Sequence, residues 1–227
     1  MTSSTIAQQA SQLAEQMASQ PQSEVLSVFA TEQGELEAKG APGGVIAVGA
    51  KLPDTELLDP YGHAVTLYGA LAARRAVIVF YRGIWCPYCN IALRTYQSEL
   101  VPELDRRGVA LLAVSPQKPD GSLSMQEKHD LSYTVLSDPG NILAGTVGIV
   151  TAPSAEVRQA QLQLGLDLTA GNADGTTAIP IATTLIVDGD QIVRWVDVHP
   201  NYRTRSEPAA ILAALDATVT GPAELSA

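Results

Sequence analysis

The apolar run Ala76-Val77-Ile78-Val79-Phe80-Tyr81 leads directly into Arg82-Gly83-Ile84-Trp85-Cys86-Pro87-Tyr88-Cys89-Asn90, and this junction constrains the fold more than any other stretch. The run is β-branched and aromatic, and it has the length of a buried strand. Beyond the junction, Leu93, Tyr96, Gln97, Leu100 and Leu104 recur at helical spacing. The chain's two cysteines therefore sit where a buried strand hands over to a helix. Pro87 suits the first helical turn, where its missing N–H costs nothing. Cys86 is expected at or just before the helix start, where unpaired backbone N–H groups favour negative charge and lower a thiol's pKa. Cys89 follows one turn later, within reach of a disulfide. One thiol would be activated and the other would resolve it.

Other uses of two cysteines fit less well. A structural zinc site takes four ligands, whereas this chain offers two Cys and three scattered His (His63, His129 and His199). No metal site is expected. Covalent haem attachment needs His after the second Cys, where Asn90 stands. Two inert buried thiols would not explain Trp-Cys-Pro-Tyr-Cys at a helix start. A redox pair is the remaining use.

Phe80-Tyr-Arg-Gly-Ile-Trp-Cys-Pro-Tyr-Cys-Asn90 resembles the signature of the peroxiredoxin-like branch of the alkyl hydroperoxide reductase/thiol-specific antioxidant (AhpC/TSA) family. The similarity extends from about Val48 to Leu215 through Ala113–Gln117, Val135–Asn141 and Tyr202–Pro208. It implies an α/β thioredoxin-like fold: a mixed central sheet flanked by helices. It also implies a hydroperoxide substrate and an external dithiol reductant such as thioredoxin or glutathione, with no cofactor.

The resemblance breaks at two places. Peroxiredoxins carry Pro-x-x-x-Thr-x-x-Cys, and aligned on the strand their Cys, Thr and Pro fall on Cys89, Cys86 and Arg82. Trp85-Cys86-x-x-Cys89 is instead similar to thioredoxin, in which the first cysteine attacks. Thioredoxin-like relatives place a cis-proline, and typical peroxiredoxins an Arg, where this chain has Ala182; Pro180 lies two residues early. The helix-start placement and the Trp-Cys pattern together assign the attacking sulfur to Cys86. Two further readings use the same pair: a thiol–disulfide oxidoreductase of thioredoxin type, and a non-enzymatic redox sensor or interaction module.

Around the cysteines, Arg82 is placed to stabilise a thiolate or polarise a peroxide, and Trp85 to shield the disulfide from water. Tyr88 is expected on the surface, facing a partner. Arg203 and Arg205 lie in a family-like segment, where a role in the site and a plain surface charge stand level. His129 and His199 read as surface residues, because a Cys-x-x-Cys pair needs no separate base.

Organisation along the chain is legible in outline. Residues 1–40 read as a helical N-terminal extension of two amphipathic helices broken at Pro21, ahead of a thioredoxin-like domain over 41–227. The apolar face of the extension must be buried somewhere, either on the core of its own chain or in a homodimer contact. A hairpin is expected around Pro60-Tyr61-Gly62, and the active-site helix over about 87–106 with a kink at Pro102. Strands follow at 109–114 and 133–136, with helices over 123–130 and from Asp138 to Val147. Residues 151–178 read as an insertion: a helix over 153–168, then a polar surface loop over 169–177. A hairpin turning at Asp188-Gly189-Asp190 and a helix over 207–215 close the domain.

With 46% hydrophobic residues the 227-residue chain can fill a core. Its net charge of −10 argues against nucleic acid, which needs clustered Lys and Arg. No apolar run approaches a membrane span, and Met1-Thr2-Ser3-Ser4-Thr5-Ile6 has no signal-peptide pattern. A cytoplasmic location is the expectation, where a cysteine pair reads as a working dithiol.

Overall fold

A computed structural model describes residues 4–19, 24–119 and 130–219. The helix expected over 123–130 and His129 fall outside the described residues, apart from Asp130. Among the described residues a seven-stranded mixed sheet runs in the order β2-β1-β5-β4-β3-β8-β9. The strands are β1 (Glu56–Leu58), β2 (Ala64–Thr66), β3 (Ala76–Phe80), β4 (Ala110–Ser115), β5 (Thr134–Ser137), β8 (Ala182–Val187) and β9 (Val193–His199). The short pair β6 (Val150–Thr151) and β7 (Ile179–Pro180) stands apart from it.

β3 pairs in parallel with β4 on one side and antiparallel with β8 on the other. Every residue of β3 is buried, which is why the strand reads as a continuous apolar run and not as an alternation. Its side chains still divide by the period of two. Val77, Val79 and Tyr81 join the core cluster that holds both cysteines, whereas Ala76, Ile78 and Phe80 join the cluster on the opposite face.

The short helix α3 (Leu67–Leu71) follows β2, and the active-site helix is made of three segments: α4 (Pro87–Thr95), a π-helical turn (Tyr96–Leu100) and α5 (Val101–Arg106). Pro102 has no N–H to give to an i−4 carbonyl. The ladder adjusts just before it, with the Val101 N–H bonding to Tyr96 O, five residues back. The kink expected at Pro102 is therefore taken up over the turn that precedes it.

At the N-terminus, α1 (Ile6–Ala18) begins with a capping box between Thr5 and Gln8. Its Ile6 and Ala10 are buried in the cluster that contains the cysteines, and Gln9 Nε2 donates to Thr95 Oγ1 of α4 at 3.2 Å. At these two positions the apolar face is covered by the core of its own chain, one of the two expected covers. The second helix, α2 (Glu24–Lys39), packs against α7 (Ala155–Gln163).

Several boundaries differ from expectation. The helix expected over 153–168 ends at Gln163, because Gly165 turns the chain at φ +81°. Residues 169–177 are less loose than a polar, glycine-rich composition implies. They begin in the short helix α8 (Leu168–Gly171). Asn172 is buried there, bridged to Gln117 and donating to the carbonyls of Thr176 and Ala178. The segment after Asp138 opens with a 3₁₀ turn (Pro139–Asn141), whose left-handed Gly140 and Asn141 lead into α6 (Ile142–Val147). α9 (Pro208–Val219) closes the chain.

Candidate active site

The loop between β3 and α4 carries the site, and its backbone is held from several sides. Gly83 sits at φ +149°, and a Cβ there would run into the Trp85 indole. Gln117, just after β4, accepts the Ile84 N–H through Oε1 at 2.6 Å. Asn90 Nδ2 donates to Ile84 O at 2.9 Å. Cys86 is the N-cap of α4, with Pro87 in the first turn, as expected.

Cys86 and Cys89 are both free thiols and both buried, at 1% and 0% exposure. Their acidities are driven apart. Burial pushes Cys86 up, and its hydrogen bond to Cys89 and the charge on that neighbour add to the effect. Burial works against charge at Cys89 too, yet Cys89 is held well below the ordinary thiol value. The Cys86 S–H donates to it, the Arg205 guanidinium lies beside it, and the Arg82 backbone N–H bonds to it. The helix start was expected to lower Cys86, and these influences act on it in the opposite direction. The N-cap position is right, but burial and the competing sulfur decide where the charge goes.

Arg205 is the residue that sequence reasoning left open. It is buried, at 7% exposure. Its Nη2 donates to Cys89 Sγ at 2.8 Å and lies 3.9 Å from Cys86 Sγ. Its Nη1 donates to the carbonyls of Tyr202 at 2.8 Å and Thr204 at 2.5 Å. Burial would lower a guanidinium's pKa, but the thiolate at Cys89 raises it. The available signal was the family-like stretch Tyr202–Pro208, which marks the segment without saying which arginine turns inward.

Arg82 is half-buried and stacked, its guanidinium 4.9 Å from the ring centres of both Trp85 and Tyr202. Its positive charge lowers both thiols. Arg203 is exposed, 5.9 Å from the Tyr202 ring. Tyr88, expected on the surface, is 5% exposed because Tyr202 packs over it with ring centres 5.9 Å apart. His199 is half-buried and bonds to Asp197, Thr204 and Ser206, so it is part of the framework behind Arg205. His63 is exposed and paired with Asp59. Pro180 lies in β7 and Ala182 begins β8.

A cleft of about 580 Å³ opens beside Cys86. Trp85, Pro87 and Tyr88, Met17 of α1, Phe29 of α2 and Leu166 are among the residues that line it. Cys86 lines this cleft and Cys89 does not. Among the described residues no group of three or more His, Cys, Asp or Glu is placed to hold a metal ion. Nor is any helix among them long and apolar enough to cross a membrane.

A hydrogen-bonded cysteine pair at a strand-to-helix junction, beneath a mixed sheet flanked by helices, defines a dithiol protein of the thioredoxin-like class. More particularly, residues 48–196 match the AhpC/TSA family, and the chain belongs to it. The chain is 31% identical over 107 residues to peroxiredoxin bcp of Haemophilus influenzae, an alignment covering 46% of this chain and 66% of that protein. It is 28% identical over 112 residues to the thiol-disulfide oxidoreductase ResA of Geobacillus thermodenitrificans, covering 48% and 62%. The chain thus spans just under two thirds of the length of these relatives. Among solved structures, reduced Prx3 of Vibrio vulnificus superposes with a TM-score of 0.61 at 20% identity, covering 75% of this chain and 99% of that one. A peroxiredoxin-like protein of Aquifex aeolicus gives 0.60 at 15%, covering 77% and 88%. These two likenesses establish the fold.

Proposed function

We propose that the chain is a thiol peroxidase that reduces hydroperoxides through a Cys86–Cys89 dithiol/disulfide cycle. The observation that carries this is the buried Arg205 guanidinium 2.8 Å from Cys89 Sγ, which favours a thiolate in a site closed to water. Cys89, not Cys86, is then the attacking sulfur, in agreement with the peroxiredoxin register. The Cys89 thiolate attacks the terminal peroxide oxygen. The O–O bond breaks, the alkoxide leaves and takes up a proton, and Cys89 becomes a sulfenic acid. Cys86 condenses with it, forming the S–S bond and releasing water.

A reductant thiolate then attacks Cys86, the cysteine that lines the cleft, and Cys89 leaves as the lower-pKa thiolate. A second reductant thiol displaces Cys86 and completes the reductant's own disulfide. Thioredoxin or two glutathione molecules would each balance the cycle. Residues 1–40 act in this scheme as an extension that walls the cleft of the 41–227 domain. A reducing compartment such as the cytoplasm suits the resting dithiol.

One observation favours a second reading. Cys86 borders an open cleft flanked by Trp85 and Tyr88, so the same pair could exchange with a protein disulfide. A redox sensor remains the reading if neither reaction turns over. The deciding assay is peroxide consumption by the purified protein, with thioredoxin and glutathione supplied separately, beside reduction of a model protein disulfide. Cys89→Ser should abolish peroxide turnover, and Cys86→Ser should stop after one equivalent, leaving a sulfenic acid on Cys89. Turnover surviving in Cys89→Ser would overturn the proposal.

A further inference from the structure

We propose that Asp197 is a positioning residue for the Cys89 thiolate, acting through Ser206 and His199 on the segment that carries Arg205. The inference rests on Arg205 sustaining that thiolate. Apart from the two sulfurs, the hydrogen bonds of Arg205 go to the carbonyls of Tyr202 and Thr204 in its own segment. The guanidinium is therefore aimed by the backbone around it. Residues 200–207 form no helix or strand, so their shape depends on what clamps them.

That clamp is a side-chain network rooted on β9. Asp197 Oδ2 accepts from Ser206 Oγ at 2.7 Å and lies 3.0 Å from His199 Nε2. The other ring nitrogen of His199 lies 2.9 Å from Thr204 Oγ1. One carboxylate oxygen thus ties down both residues that flank Arg205: Ser206 directly, and Thr204 through the imidazole. From the cysteine side, Tyr96 OH donates to Ser206 O at 2.7 Å. The bond from His199 holds the Asp197 carboxyl below the usual carboxylate range despite partial burial, and Ser206 adds to it. Asp197 touches neither sulfur in this network; its effect reaches Cys89 only through where Arg205 points.

The test uses the full chain carrying Cys86→Ser, so that Cys89 is the only thiol. Its alkylation by iodoacetamide is followed against pH by mass spectrometry, with thermal melting of every variant. Asp197→Asn and Ser206→Ala should each move the midpoint of Cys89 labelling to higher pH. The shift should be about one pH unit, and Asp197→Glu should recover part of it. Asp188→Asn is the control for a merely structural effect. Asp188 sits in the turn of the same hairpin, paired with Arg194, so its loss should lower the melting temperature without moving the midpoint. Ser206→Ala removes a single hydroxyl and serves if Asp197→Asn does not fold. If Arg205→Met moves the midpoint and folded Asp197→Asn or Ser206→Ala does not, the positioning role is wrong. If Arg205→Met leaves it unmoved, the assignment of Arg205 fails and the inference fails with it.

Discussion

Arg205→Met is the sharpest single perturbation of this site. Met keeps an unbranched chain in a buried position and removes the charge and all five donors. Two effects follow, and they can be separated. The thiolate loses one charge-assisted hydrogen bond, the 2.8 Å contact to Cys89, worth about 1.5–3 kcal/mol. At about 1.4 kcal/mol per pKa unit, that raises the Cys89 pKa by roughly one to two units. The carbonyls of Tyr202 and Thr204 also lose their partner; Thr204 is exposed and can turn to water, so the stability cost falls mainly at half-buried Tyr202, at most about 1–3 kcal/mol.

Stopped-flow peroxide reduction at pH 7 reads the first effect. At high pH Cys89 ionises without help, so the rate should recover there if the defect is one of thiolate population. Urea unfolding reads the second effect, which should persist at every pH. A variant whose rate follows pH as the parental rate does would refute the role given to Arg205. So would a rate loss that does not lessen as the pH is raised.

Two other outcomes are expected. In the reduced protein, the depressed pKa of Cys89 contributes stability that is fully present above the ordinary thiol value of 9.0 and is lost as pH falls through its folded value. Cys86, raised above 9.0, acts in the opposite sense at more alkaline pH. Reduced protein should therefore gain urea resistance towards pH 9, relative to Cys89→Ser; a flat difference between the two would contradict the charge assignment. Ala14→Trp should narrow the cleft from the α1 side and lower the ratio of kcat/KM for cumene hydroperoxide to that for hydrogen peroxide by about tenfold or more, the scale of hydrophobic-pocket discrimination. An unchanged ratio would show that bulky substrates do not use the cleft.

The sheet and the cysteine junction were legible because their signals are local. An unbroken apolar strand, a proline at the first helical turn and a period of 3.6 beyond it each report on adjacent residues. The electrostatics of the pair were not legible. Arg205 lies 116 residues from Cys89, and its inward turn depends on Asp197, His199 and Tyr96 clamping an irregular segment. Tyr88 was misplaced for the same reason, since Tyr202 of that segment covers it. Asn172 was misplaced because a glycine-rich polar stretch carries no mark of the bridge to Gln117 that buries it.

The span between the cysteines and Arg205 also has a meaning for synthesis. At roughly 5–20 residues per second, the 116 residues that separate Cys89 from Arg205 take about 6 to 23 s to translate. The residue that follows Ser206 then reaches back to the beginning of the chain, where the Glu207 carboxylate accepts the N–H groups of Ile6 and Ala7 at the head of α1. The nascent cysteines thus emerge from the ribosome without the buried cation that sharpens them. In the proposed cycle the reactive thiolate is therefore completed late in biogenesis, when the last third of the chain closes over the first.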